Sequence, residues 1–136
     1  MGQKLILNKN IKHIIVSRTD SIGDVVLTLP VCTVLKKHYP ETKITFLCRD
    51  YTKSVVSLCN SVDAIISWDE LQKMNDNDRK KLLQELYADV IVFVFPDKQV
   101  IKAAKKAGIP RRIATARRWH TFFNCNVMVN IKRRSS

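Results

Sequence analysis

Short apolar runs of strand length alternate with helix-like segments along most of the chain. The runs at 12–16, 43–48, 63–67 and 88–95 are rich in β-branched and aromatic residues and too short for buried helices. A short helix is expected over 51–58, between the second and third runs. Because strands that alternate with helices at this spacing build βαβ units, the pattern predicts a Rossmann-like α/β fold. The expected sheet is doubly wound and mostly parallel.

Cap and breaker residues predict where the helices begin and end. The segment after the first run ends in three cations, which suit a helix carboxy-terminus, and Pro30 inside it predicts one helix with a local kink. Asn75, followed by acidic residues, predicts a helix start. Gly108 predicts the end of a basic helix over 99–107, and a fifth strand is expected over 111–115.

The basic surplus of the chain lies at its carboxy-terminal end. The formal charge is +12, and residues 98–136 hold eleven of the 24 Lys and Arg residues but none of the 12 Asp and Glu residues. A surface with this charge attracts phosphorylated or carboxylated substrates, nucleic acid or an anionic membrane. The alternative is that these cations only keep the surface solvated and bind no ligand. The aromatic residues at 119–123 are suited to stack on the bases of single-stranded nucleic acid, or they pack the tail onto the sheet.

Several classes of protein are disfavoured by composition. No apolar run approaches the roughly 18 residues of a membrane-spanning helix, and the first residues suit neither a secretory signal nor, with Ile6 in the key position, myristoylation. We therefore expect a cytoplasmic protein. The four cysteines form no C-x-x-C pair and the three histidines are scattered, so no metal site is predicted and the cysteines are interpreted as buried structural residues.

The segment 18–24, directly after the first strand, is the most plausible place for chemistry. In open parallel sheets, ligands bind beyond the carboxyl ends of the strands. Gly23 permits close approach to the backbone, and Asp24 stands where the chain turns into the helix. Its carboxylate can act as a general base on a sugar hydroxyl, or it can cap the helix without a chemical role. A dinucleotide-binding loop is not predicted, because G-x-G-x-x-G is absent.

Three segments carry a resemblance to a known family. Residues 14–30 contain Ser-Arg-Thr-Asp-Ser-Ile-Gly-Asp-Val-Val, residues 39–47 follow the helix, and residues 106–115 contain Ala-Gly-Ile-Pro-Arg-Arg-Ile. Together they resemble the glycosyltransferase family 9 heptosyltransferases, which transfer heptose from ADP-heptose to the inner core of lipopolysaccharide. Ala114 departs from the glycine usual in the family.

The resemblance covers the whole chain but only the first half of such an enzyme. It implies that residues 1–136 form the single acceptor-side Rossmann-like domain of a GT-B glycosyltransferase, with the carboxy-terminal donor-binding domain absent. A polypeptide of this length is then expected to be inactive alone, as a truncated enzyme. The alternatives that stay open are a basic α/β module that binds nucleic acid or an anionic membrane, and a non-catalytic remnant.

The resemblance also implies site residues and partners. Transfer would invert the anomeric centre without a metal or cofactor, with ADP-heptose as a substrate and Asp24 as the catalytic base. Ser21 and Gly23 would line the acceptor loop. The acceptor would be an anionic, lipid-linked saccharide, with peripheral contact to the inner membrane and no role for nucleic acid. Charge-assisted hydrogen bonds to it are expected from Lys98, Arg111, Arg112, Arg117 and Arg118.

Overall fold

The computed structural model describes residues 11–114, which form one five-stranded sheet with helices on both faces. All four strand pairings are parallel, in the order β3-β2-β1-β4-β5. The predicted doubly wound α/β fold is confirmed. The strands are β1 His13–Ser17, β2 Lys43–Cys48, β3 Ala64–Ser67, β4 Val90–Phe93 and β5 Arg111–Ala114.

Five helices connect these strands. Helices α1 and α2 pack on one face of the sheet, whereas α3, α4 and α5 pack on the other. Each face therefore has its own apolar core, centred on Val16 and Phe46 on one side and on Ile15 and Ile91 on the other. The helices are α1 Ile22–His38, α2 Lys53–Val56, α3 Trp68–Lys73, α4 Asp76–Glu85 and α5 Lys98–Ala107.

Local cap signals explain which helix boundaries could be predicted. The Asn75 side chain accepts a hydrogen bond from the Asp78 amide at the start of α4, and Gly108 adopts the left-handed conformation after α5. Both predictions are confirmed. Pro30 lies inside α1, which continues through it as one helix. Pro30 is exposed, so its ring lies on the solvent side of the helix rather than in the core.

The segment between β2 and α4 differs from the sequence prediction in two respects. The expected helix over 51–58 is a 3-10 turn, Asp50–Thr52, followed by the four-residue α2. The helix α3, which starts directly after β3, was not predicted from the sequence. Ser67 caps α3 by accepting from the Glu70 amide, while Trp68 and Leu71 bury the inner side of this six-residue helix. Its two buried residues are too few to form a recognisable period.

Candidate active site

The carboxyl ends of β1, β2 and β4 meet at one edge of the sheet, where ligands bind in parallel α/β folds. Ser17 at the end of β1 is in register with Leu47 and Phe93. The ladder continues one step further, since the Arg18 amide donates to the Leu47 carbonyl and the Val94 amide donates to the Ser17 carbonyl, both at 3.0 Å. The loop 18–21 therefore leaves the sheet from a rigid base.

Ser21, not Asp24, is the cap of α1. The Ser21 hydroxyl accepts from the Asp24 amide at 3.4 Å and donates to Asp24 Oδ2 at 2.7 Å. Asp24 thus lies at the third helical position, where the positive end of the helix dipole stabilises a carboxylate. Its side chain is 45% exposed. The carboxylate is held in place from one side and open to a ligand from the other.

Arg18 bridges two carboxylates of this loop. Its Nε and Nη2 atoms donate to the two oxygens of Asp20 at 2.8 and 2.9 Å, and Nη2 lies 3.5 Å from Asp24 Oδ1. The guanidinium carbon also sits 5.9 Å from the centre of the Phe95 ring. A planar group held by so many partners has a fixed orientation.

The same contacts keep Asp24 ionised. The hydrogen bond from Ser21 lowers the pKa of Asp24 below its ordinary value, and the charge of Arg18 lowers it further. The carboxylate is charged at neutral pH, as an ordinary aspartate is, and these contacts make it a weaker proton acceptor than an unpaired aspartate. What the arrangement offers chemically is an oriented, solvent-accessible base beside a fixed cation.

Hydrogen bonds tie the loops after β2 and β4 to the loop after β1. The Tyr51 hydroxyl donates to the Asp20 carbonyl at 2.8 Å, and the Thr19 hydroxyl donates to Asp97 Oδ2 at 2.8 Å. Asp97 also caps α5 by accepting from the Gln99 amide. Three separate strand ends therefore build one surface around Asp24.

Apolar side chains lie beside this polar network. Ile22 and Val26 of α1 are nearly half exposed, and Leu27 is 73% exposed. The outward side of α1 is accordingly apolar near Asp24, unlike that of an ordinary surface helix, which is polar. Exposed apolar surface of this kind is typical of a place where another molecule or domain packs.

Ser17 adds a buried polar atom beneath the loop. Its side chain is fully buried, and its hydroxyl has no hydrogen-bond partner among residues 11–114. Buried hydroxyls normally find a partner, so an unpaired one next to a candidate site is a feature that function often explains. Neither Ser17 nor the Arg18–Asp20 pair was singled out from the sequence, although all three residues lie in or directly before the segment 18–24.

The structure brings together only some of the residues expected to bind the acceptor. Ser21, Gly23 and Asp24 share the first turn of α1 or its cap, and a Cβ at Gly23 would meet no atom of the described chain within 4 Å. Lys98 is exposed and follows Asp97, so it belongs to the same edge of the sheet.

Arg111 and Arg112 lie toward the opposite edge. Arg111 begins β5 in register with Val90, three residues before the Ala114–Phe93 pair, which corresponds to about 10 Å of strand. Arg112 donates to the Ile109 carbonyl at 2.8 Å. The register of β5 therefore separates both arginines from Asp24. Arg117 and Arg118 lie outside the described residues.

Residues 11–114 show neither a metal-ligand cluster nor a membrane-spanning helix. They contain no group of three His, Cys, Asp or Glu side chains arranged to hold a metal ion. Within the same range, every helix is too short or too polar to cross a bilayer.

Known proteins show the same fold and a related sequence. A Haemophilus influenzae protein, whose name assigns it provisionally to the glycosyltransferases, is 33% identical over 111 residues, covering 79% of this chain and 32% of the relative. The family 9 glycosyl transferase of Veillonella parvula superposes with a TM-score of 0.64 at 22% identity, covering 79% of this chain and 33% of that one. The chain has the family 9 glycosyltransferase fold.

The heptosyltransferases share this family 9 fold. The Escherichia coli ADP-heptose lipopolysaccharide heptosyltransferase II superposes with a TM-score of 0.65 at 17% identity, covering 76% of this chain and 30% of that chain. No family model matches the sequence. The resemblance to family 9 predicted from the sequence is confirmed, and the chain spans about a third of the length of these relatives.

Proposed function

We propose that this chain is the acceptor-side, amino-terminal domain of a GT-B heptosyltransferase. The reaction is transfer of heptose from ADP-heptose to an anionic, lipid-linked saccharide of the lipopolysaccharide inner core. One observation carries the proposal: Asp24 presents an ionised, half-exposed carboxylate at the carboxyl edge of a sheet with the family 9 fold. Residues of this edge, Ser21, Gly23 and Lys98, are proposed to face the acceptor.

The proposed step is a single displacement. Asp24 takes the proton from an acceptor hydroxyl as that oxygen bonds to the anomeric carbon of heptose, and ADP leaves with the electron pair of the broken bond. The anomeric centre is inverted, and no metal or cofactor takes part. A positioned base contributes roughly 10²- to 10⁴-fold to such a rate. Arg18, whose Nη2 lies 3.5 Å from Asp24 Oδ1, helps to orient the carboxylate.

Asp24→Asn should lower transfer by about 10²- to 10⁴-fold without loss of folding, because the amide keeps the shape of the side chain but cannot accept the proton. The measurement is ADP release from ADP-heptose, with a polypeptide that joins this domain to a donor-binding domain of family 9. Asp78→Asn is a matched control, because Asp78 occupies the same third position of α4 behind the Asn75 cap.

An unchanged rate of transfer in Asp24→Asn would show that Asp24 has only a structural role in the first turn of α1. Equal loss of transfer in both variants would indicate damage to a helix start rather than loss of a base. Thermal unfolding of both variants separates these outcomes, since each removes one charge from a comparable helix position.

A polypeptide limited to residues 1–136 is expected to show no transfer activity. The chain spans about a third of its relatives, and displacement requires that donor and acceptor be held in line, a contribution worth many orders of magnitude in rate. The measurement is incubation of the purified chain with ADP-heptose and acceptor. ADP release above background would refute this expectation.

We further propose a cytoplasmic location with peripheral contact to the inner membrane. A lipid-linked acceptor has to be reached at the bilayer surface, and Ile22, Val26 and Leu27 offer apolar surface beside Asp24. The basic surplus of residues 98–136 favours anionic lipid. Sedimentation with anionic vesicles tests this proposal, and absence of binding at low salt would contradict it.

A further inference from the structure

A concave surface lies between α3, α4 and α5, on the face of the sheet opposite α1. Its volume is about 360 Å³, within the range of about 300 to 1,000 Å³ that is common for sites of small ligands. The lining residues are Trp68, Gln72, Asp76, Arg79, Gln99, Lys102, Ala103 and Lys106. We call this surface the α5 cleft.

One side of α5 supplies the cationic wall of the cleft. Gln99, Lys102, Ala103 and Lys106 follow the i, i+3, i+4, i+7 spacing of a single helix face. Ala103 is small, so it leaves room in the wall between the two lysines. Both lysines are exposed, and within residues 11–114 Lys102 has no ion-pair partner. A ligand in the cleft would therefore meet uncommitted positive charge.

The cleft has three cationic side chains, Arg79, Lys102 and Lys106, and one acidic side chain, Asp76. Asp76 is paired with Arg79 at 2.9 Å and lies 3.6 Å from Lys106. Arg79 is itself committed, because its guanidinium also donates to the carbonyls of Leu71 and Met74 at the end of α3. Arg79 thus holds the cleft together and shares Asp76 with Lys106, so Lys102 is the lysine of the cleft that carries no ion pair within residues 11–114.

Further donors line the inner part of the cleft. Trp68 is 2% exposed, and its indole N–H has no hydrogen-bond partner among the described residues. Gln72 Nε2 donates to Gln99 Oε1 at 2.8 Å, so the amide group of Gln99 keeps its own N–H atoms for other acceptors. Donors and cations in one concavity suit a ligand rich in oxygen acceptors.

The cleft is connected to the candidate active site by α5 itself. The helix begins beside Asp97, which accepts a hydrogen bond from Thr19 in the loop of Asp24. From there, Lys98, Lys102 and Lys106 follow one another at intervals of four residues, about 6 Å apart along the axis. An extended anionic chain bound at the edge of the sheet could continue along this row.

We propose that the α5 cleft binds a phosphorylated sugar unit of the acceptor saccharide, with Lys102 and Lys106 contacting the phosphate. The inference rests on the proposed function, because that function supplies a saccharide bearing anionic groups. It assigns a second contact to the acceptor, away from the reacting hydroxyl. Binding energy gained there would hold the acceptor in place for the reaction at Asp24.

The test is titration of the ¹⁵N-labelled chain with glucose 6-phosphate, followed through the indole signal of Trp68 and the side-chain amides of Gln72 and Gln99. Lys102→Gln combined with Lys106→Gln should weaken binding about tenfold, because two ion pairs are lost. Lys37→Gln combined with Lys53→Gln removes the same charge from exposed residues of α1 and α2, across the sheet, and should leave binding within a factor of two. Neutral glucose should not shift these signals.

Equal weakening in both double variants, or no shift of the Trp68 indole signal, would overturn the site. Inorganic phosphate that binds as tightly as glucose 6-phosphate would overturn its assignment to a sugar phosphate. Binding of the probe does not involve Asp24, so Asp24→Asn should bind glucose 6-phosphate normally. Failure of the proposed base and failure of the cleft are therefore separate results.

Discussion

Replacing Ser17 with alanine should make the protein more stable. The Ser17 side chain is fully buried at the end of β1, and its hydroxyl has no partner among residues 11–114. A buried, unpaired hydroxyl costs about 1 to 3 kcal/mol, and alanine loses up to about 1 kcal/mol of strand preference. We therefore expect the free energy of unfolding to rise by about 1 kcal/mol, which raises Tm by roughly 4 °C for a domain of this size.

The assay is urea denaturation of Ser17→Ala beside the unsubstituted protein. Ser54→Ala is the control, because Ser54 is exposed on α2 and should change stability by less than about 0.5 kcal/mol. A decrease of about 1 kcal/mol or more in the free energy of unfolding of Ser17→Ala would show that the hydroxyl has a hydrogen-bond partner in solution. That result would refute the reasoning.

Two further predictions concern charge. Burial lowers the pKa of His13, whose Nδ1 donates to the Leu86 carbonyl and whose Nε2 accepts from the Thr45 hydroxyl. Because the neutral imidazole is favoured in the folded state, the contribution of His13 to the free energy of unfolding should be full above about pH 6.5 and decrease as the pH falls below it. Urea denaturation at pH 7.5 and 5.5 checks this, and an equal decline in His13→Asn would contradict it. Arg18→Gln should raise the pKa of Asp24 and move the acid limb of the kcat/KM profile to higher pH. An unmoved limb would show that Arg18 does not act on the base.

Local signals explain why several elements of the fold could be predicted. The bounds of β2 follow from an apolar run of strand length, and the Asn75 and Gly108 caps follow from side-chain or backbone chemistry within a few residues. The start of α3 has the Ser-x-x-Glu spacing of a capping box, Ser67 to Glu70, but this helix was not predicted because it is short and has only two buried residues. The position of α3 also depends on Trp68 and Leu71, which pack into the core with residues of α4 and α5. This packing cannot be predicted from the residues next to α3 in the sequence.

In the candidate site, too, some features could be predicted from local sequence and others depend on tertiary contacts. Asp24 could be singled out because it follows the first strand at a turn, where a single rule about parallel sheets applies. Its surroundings join distant parts of the chain, since Tyr51 reaches Asp20 across 31 residues and Thr19 reaches Asp97 across 78. Such contacts are set by strand order, not by spacing in the sequence.

By itself, the sequence determined the alternation of strands and helices, the family 9 resemblance and the place of Asp24 after β1, because each depends on residues close together in the chain. Only the tertiary structure decided which of the cations distant in sequence lie near Asp24. In the register of β5, Arg111 and Arg112 lie toward the edge of the sheet opposite Asp24. The hydrogen bond between Thr19 and Asp97 places the start of α5 at the edge where Asp24 lies. The α5 cleft likewise exists only because three helices from different parts of the chain pack on one face of the sheet.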